Sequence, residues 1–236
     1  MGYGQPVQLP LGIKLRDEAT FASFHVGPNV AAVAAVRALT TPADVTVSQV
    51  YLWGAPGSGR SHLLQAACHE AAGVGALAMY LPLREILAHD QSIFEGMEQF
   101  DLLCLDQLEV LAGDEAWEEA LFHLYNRLVE QGGKLLLAAD ASPRTLGIGL
   151  PDLASRLGWG VVFQLHSLDD EDKQQMLQLR ASLRGLQLSD EVARYILSRG
   201  ARGMGELFAV LERLDQASLQ AQHRLTIPFV KRVMGW

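Results

Sequence analysis

Long apolar runs are missing from this chain of 236 residues. No stretch approaches the roughly 18 apolar residues a membrane-spanning helix needs, and no basic segment leads into an apolar one at the start, so neither membrane spanning nor secretion is expected. Cysteine is almost absent. Cys68 falls in a helical pattern and Cys104 in an apolar run, without CxxC or His-rich neighbours, which excludes a disulfide framework and reads as buried thiols in a reducing cytoplasm. The seven histidines form no HExxH or paired-ligand pattern, so metal-dependent hydrolysis through a histidine site is excluded.

Positive charge is scarce over most of the length. Residues 1–150 carry 8 Lys/Arg against 17 Asp/Glu, residues 151–236 carry 11 against 10, and the total is −8. An acidic majority argues against a broad phosphate-gripping surface for nucleic acid. What is abundant is hydrophobic residues, 49% of the chain, enough to bury a substantial core and to exclude a disordered or fibrous protein.

The first 20 or so residues mix Gly, Pro and charge without periodicity and read as a flexible tail, residues 1–19. Five short apolar runs follow, at 49–53, 76–81, 102–105, 135–139 and 161–165. Most are near-continuously apolar, as strands covered on both faces are, and helical patterns lie between them. Strand alternating with helix predicts an α/β domain with a parallel five-stranded sheet over residues 20–168. His62–Ala72 and Glu115–Glu130 show apolar residues at three- and four-residue spacing, the second through Trp117, Ala120, Leu121, Leu124 and Leu128. Strands stop after Leu168. Residues 169–236 predict a small all-α domain with helices over 170–183, 189–198, 203 to about 222, and from 226, announced by Asp169, Ser189 and Thr226 with Pro228.

The sharpest local signal is Gly54-Ala-Pro56-Gly57-Ser58-Gly59-Arg60-Ser61-His62, which leaves a predicted strand and opens a predicted helix. Glycines let the backbone curl so that its N–H groups and the helix N-terminus converge on phosphate oxygens, which makes this a P-loop. Arg60 stands where Lys is usual; it keeps the charge but replaces a compact ammonium with a planar fork. Ser61 supplies a hydroxyl for Mg²⁺. The bland alternative is a Gly-rich turn with an incidental Arg and Ser. A second piece is Asp101-Leu-Leu-Cys-Leu-Asp106-Gln107, an apolar strand ending in an acid, as a Walker B strand does, with Asp106 able to hold the metal. The next position, often an acid that activates water, is Gln107; a neutral amide is no general base, so unaided hydrolysis is expected to be slow. Glu109, two residues on, could in principle substitute for that acid, though its more ordinary reading is a solvated loop carboxylate.

These motifs, with three others, resemble the DnaA branch of the AAA+ ATPases, and within it the short Hda-type group that inactivates the initiator. Thr20-Phe-Ala-Ser-Phe-His-Val26-Gly27-Pro-Asn29 is similar to the segment bordering the adenine pocket, Leu135–Asp140 to the sensor 1 strand with Asp140 at its end, and Leu150-Pro-Asp-Leu-Ala-Ser-Arg156-Leu-Gly-Trp-Gly160 to the box carrying the arginine finger. The resemblance runs from about residue 20 to the end, and makes residues 20–168 the AAA+ domain and 169–236 its helical lid. It implies ADP or ATP with Mg²⁺ as ligands, and Val26 and Gly27 as nucleotide contacts. It also implies that Arg156 enters the site of DnaA-ATP, where charge develops on the γ-phosphate.

Gln8-Leu9-Pro-Leu11-Gly-Ile13 resembles the hexapeptide by which bacterial replication proteins bind the sliding clamp, an extended peptide whose alternate side chains enter pockets. Departures from the family lie at Arg60, at Gln107 and at Gly205, where the sensor 2 arginine would stand; Arg202 lies three residues earlier. The origin-reading helix-turn-helix of DnaA has no counterpart before Trp236, so sequence-specific DNA binding is not expected, and Arg180, Arg184, Lys231 and Arg232 read as solvated helix faces. A homodimer or higher oligomer stays open. Two other readings compete with that of a DnaA regulator: a helicase-loader-like ATPase, which needs competent hydrolysis, and an adaptor that binds nucleotide without catalysis or has lost it altogether.

Overall fold

The computed structural model describes residues 15–41, 47–200, 203–221 and 225–236. The peptide at residues 8–13 and Arg202 lie outside them. Contacts divide the chain into two units: one holds the chain up to Phe21 together with Asn29–Leu165, the other Ala22–Pro28 with His166–Trp236.

The first unit is a parallel sheet between helices. Helix α1 (Val30–Thr40) precedes β1 (Gln49–Gly54), and α2 (Arg60–Gly73) follows it. Then come β2 (Ala78–Pro82), the single turn α3 (Leu83–Ile86), β3 (Leu102–Asp106), α4 (Glu115–Glu130), β4 (Lys134–Ala139), α5 (Pro151–Leu157) and β5 (Val161–Leu165). The strand order is β2-β3-β4-β1-β5, and every pairing is parallel. Each of the five apolar runs supplies one strand. One face buries Tyr51, Leu103, Leu105, Leu135 and Leu137 beneath Trp117, Leu121, Leu124 and Leu128 of α4, the stripe that helical spacing predicts. On α1 and α2, Val36, Leu39, Leu63, Leu64 and Ala67 are buried, and both helices pack on the sheet. Cys68 and Cys104 are buried free thiols.

Strand β5 departs from the expectation of two covered faces. It is an edge strand, and Val161 and Val162 are 42% and 38% exposed; its apolar run reflects β propensity as much as burial.

The second unit has its own core, with Leu177, Ile196, Leu207, Leu211, Leu214 and Val230 joining α6 (Asp170–Leu183), α7 (Asp190–Arg199), α8 (Met204–Ala221) and α9 (Ile227–Met234). The three start signals form the caps their chemistry suggests: Asp169 accepts from the N–H of Asp172, Ser189 from Val192 and Thr226 from Phe229. Arg180 and Arg184 differ from the solvated face expected of them. Arg180 is buried with its guanidinium 4.7 Å from the centre of the Phe208 ring, and Arg184 reaches Asp215 at 4.0 Å. A long aliphatic stem and a planar cation allow arginine to line a core that a charge count assigns to solvent. Among the described residues, no helix is long and apolar enough to cross a membrane.

Candidate functional site

Strand β1 ends at Gly54, where the chain must turn in almost no space. A Cβ on Gly54 would lie 2.5 Å from the carbonyl oxygen of Leu165. Gly57 and Gly59 have φ of +83° and +97°, and Gly59 is the residue from which α2 starts; L side chains are strained there, which is why the loop needs glycine. Pro56 is exposed, while Ser58 is buried. Two polar atoms of this loop, Ser58 Oγ and Arg60 Nη1, are buried without a hydrogen-bond partner among the described residues. Buried orphans are costly and few in native proteins, and a bound anion such as phosphate would satisfy them. His62, in the first turn of α2, bonds through Nε2 with the carbonyl of Thr20 at 2.8 Å and so ties that helix to the segment before α1.

Asp106 closes β3 and is 2% exposed. Its Oδ1 accepts from the N–H of Gln107 at 2.9 Å and its Oδ2 from the hydroxyl of Tyr80 at 2.8 Å. Tyr80 is not marked by any sequence signal, yet its hydroxyl lies against Asp106 and close to the side chains of Ser61 and Gln65 of α2. Burial, and then the Asp106 charge, push its phenol well above the usual range. Each Asp106 oxygen keeps a lone pair, and a carboxylate beside a serine hydroxyl at a helix start is a donor set that fits Mg²⁺. Gln107 has φ +66° and ψ +45°, the left-handed region, and among the described residues no other residue but glycine has a positive φ.

Glu109 is half-buried, and its carboxylate accepts from the N–H of Asp140 at 3.2 Å in an exposed position. The turn after Gln107 aims it at the exposed end of β4 to satisfy a strand-end donor. Tyr51 donates to the carbonyl of Ala141, next to Asp140, at 2.9 Å. The structure therefore gathers Gly54–His62, Asp106 and Asp140 around the C-terminal ends of β1, β3 and β4, where ligands bind in open α/β sheets. Val26 and Gly27 belong to the other unit, where His25 pairs with Asp172 at 2.9 Å. Gly205 lies in the first turn of α8, and a Cβ there would meet nothing within 4 Å.

Arg156 is elsewhere. It sits in the last turn of α5, and the carbonyls of Arg156 and Leu157 both accept from Gln49 Nε2 at 3.0 Å. Gln49 begins β1 and Gly54 ends it, so at ~3.3 Å per residue Arg156 and the P-loop are separated by about 17 Å of strand. The guanidinium lies 4.5 Å from the centre of the Phe122 ring and 5.5 Å from those of Tyr125 and Trp159, an aromatic setting with no carboxylate partner among the described residues. Trp159 is 69% exposed. Cation–π contacts of this kind contribute about 0.5–2 kcal/mol and hold a cation without neutralising it.

The family model described as the bacterial DnaA ATPase domain matches residues 15–164, and the one described as "Hda, lid domain" matches residues 170–234. Among solved structures, domain III of the Thermotoga maritima replication initiation protein DnaA is 21% identical with a TM-score of 0.79, over 94% of this chain and 98% of that one. AMPPCP-bound DnaA from Aquifex aeolicus is 24% identical with a TM-score of 0.72, over 88% and 68%. The Holliday junction branch migration motor RuvB of Thermotoga maritima is 19% identical with a TM-score of 0.65, over 87% and 67%. At these identities the structures speak for the fold, and the model spanning residues 15–164 speaks for the family. The chain belongs to the family of the bacterial DnaA ATPase domain, and an Hda-type lid follows that domain.

Proposed function

We propose that this protein is a negative regulator of replication initiation that stimulates hydrolysis of ATP held by DnaA. It donates Arg156 in trans, holds ADP or ATP with Mg²⁺ at its own P-loop, and is tethered to the sliding clamp through Gln8, Leu9, Leu11 and Ile13. The observation that carries this reading is the placement of Arg156. The side chain is stacked on aromatic rings, lacks an anionic partner among the described residues, and lies at the far end of β1 from its own phosphate loop. An arginine so placed is out of reach of its own nucleotide and suited to another subunit's, where a guanidinium stabilises charge developing on the transferred phosphoryl group.

The protein's own site is suited to holding. The orphaned polar atoms of the P-loop and the Ser61–Tyr80–Asp106 array support binding of a magnesium nucleotide, and the Aquifex DnaA relative is bound to AMPPCP. Gln107 and Gly205 offer neither a base nor a lid cation. A clamp tether raises the local concentration of Arg156 near DNA-bound initiator without new contacts.

The test is to incubate the protein with clamp-loaded DNA and DnaA charged with labelled ATP, comparing wild type, Arg156→Ala and a variant lacking residues 8–13. Stimulation is lost in both variants if the reading holds. Undiminished stimulation by Arg156→Ala, or fast intrinsic turnover with no response from DnaA, overturns it.

A further inference from the structure

Helix α5 has seven residues, too few to be stable by itself in water, so it is held from outside: by its buried face, through Leu153 and Leu157 in the core, and by what bonds to its ends. At the C-terminal end the hold is Gln49, whose amide spans the carbonyls of Arg156 and Leu157 while its Oε1 accepts from the Tyr125 hydroxyl at 2.6 Å. At the N-terminal end it is Glu118 of α4, a carboxylate only 2% exposed. Glu118 Oε1 accepts from the N–H of Gly113 at 2.7 Å and of Gly149 at 3.0 Å, and Oε2 from the N–H of Leu150 at 2.7 Å. Leu150 is the N-cap of α5, the residue just before its first turn.

A buried carboxylate is costly unless several donors meet it. Here the donors are backbone groups of two loops, and the bonds from Gly113 and Leu150 are short, at 2.7 Å. We infer that Glu118 is a positioning residue for Arg156: its buried carboxylate fixes the start of α5 and thereby the direction in which the guanidinium leaves the helix. This rests on the reading of Arg156 given above. Tyr125, Phe122 and Glu118 all belong to α4, so the helix that sets the start of α5 also supplies rings on which Arg156 lies. In this role Glu118 acts on Arg156 through the backbone of Gly149 and Leu150.

The experiment measures single-turnover hydrolysis of labelled ATP held by DnaA at increasing concentrations of the full-length protein, as wild type, Arg156→Ala, Glu118→Gln and Glu118→Asp. Glutamine keeps the shape but turns one acceptor oxygen into a donor facing an N–H. For Glu118→Gln the maximal rate should fall about 10²-fold, as an ångström-scale misplacement costs, with little change in the half-saturating concentration. Glu118→Asp, which keeps the charge, should recover part of that rate. Hydrogen exchange supplies a second readout: the amides of Gly149 and Leu150 exchange faster in Glu118→Gln, while those of β1 and β4 keep their protection. An inactive Arg156→Ala beside a Glu118→Gln at the wild-type maximal rate overturns the positioning role alone. So does unchanged exchange at Gly149 and Leu150, or loss of protection throughout the sheet in both Glu118 variants. Arg156→Ala as active as wild type overturns the finger reading, and the role of Glu118 with it.

Discussion

Gly160 passes so close to Gln49 that a Cβ on it would stand 2.3 Å from the Gln49 carbonyl oxygen and 2.7 Å from the Gln49 Cβ. The neighbour is strand backbone that pairs with β4 and β5, so it cannot yield cheaply. Gly160→Ala should lower stability by about 1–3 kcal/mol, the usual cost of overpacking, in urea unfolding followed by circular dichroism. Wild-type stability in that variant would mean that the box after α5 is held less tightly than the geometry requires.

Gln107 keeps a left-handed backbone at φ +66°, a conformation that costs an L residue about 1–2 kcal/mol. Gln107→Gly should therefore leave stability unchanged or raise it, whereas the β-branched Gln107→Val should lower it by about 1–2 kcal/mol. A glycine variant that melts well below the wild type would show that the Gln107 side chain contributes more than its backbone strain removes.

Arg156→Lys keeps the positive charge but loses the planar fork and most of the stacking over Phe122 and Tyr125. Its stimulation of DnaA-bound ATP hydrolysis should resemble that of Arg156→Ala, a loss of about 10³-fold or more if the residue acts as arginine fingers do. A lysine variant near wild-type rate would mean that charge alone suffices.

The phenols of Tyr51, Tyr80 and Tyr125 are all pushed above the ordinary range, foremost by burial. Folded values above the unfolded value mean that the native state holds these protons more tightly. Their contribution to stability is complete below about pH 10, the unfolded value, and is lost as pH rises through the folded values. Alkaline titration followed in the ultraviolet should count fewer than the five tyrosines of the chain before circular dichroism reports unfolding. Five phenolates appearing near pH 10 in protein that is still folded would contradict the burial.

The parts legible in the sequence are those written in short stretches. Each apolar run became a strand, and Asp169, Ser189 and Thr226 bond to amides three residues on. The parts that escaped are made by pairs far apart in the chain. Gln49 bonds to residues 107 and 108 positions away and Glu118 to residues 31 and 32 away, so neither is marked by its neighbours. Tyr80 looks like any half-buried strand aromatic until Asp106 arrives beside it through parallel pairing of β2 with β3. Arg180 was misplaced for the converse reason, since its charge is local information and the Phe208 ring that receives it is not.

The chain has four tryptophans. Trp117 is 4% exposed, whereas Trp159, beside Arg156, is 69% exposed. An aqueous quencher reaches Trp159 far more readily than Trp117, so intrinsic fluorescence carries a signal from the immediate surroundings of Arg156. Shielding of that indole when a second molecule arrives can be followed without attaching a dye.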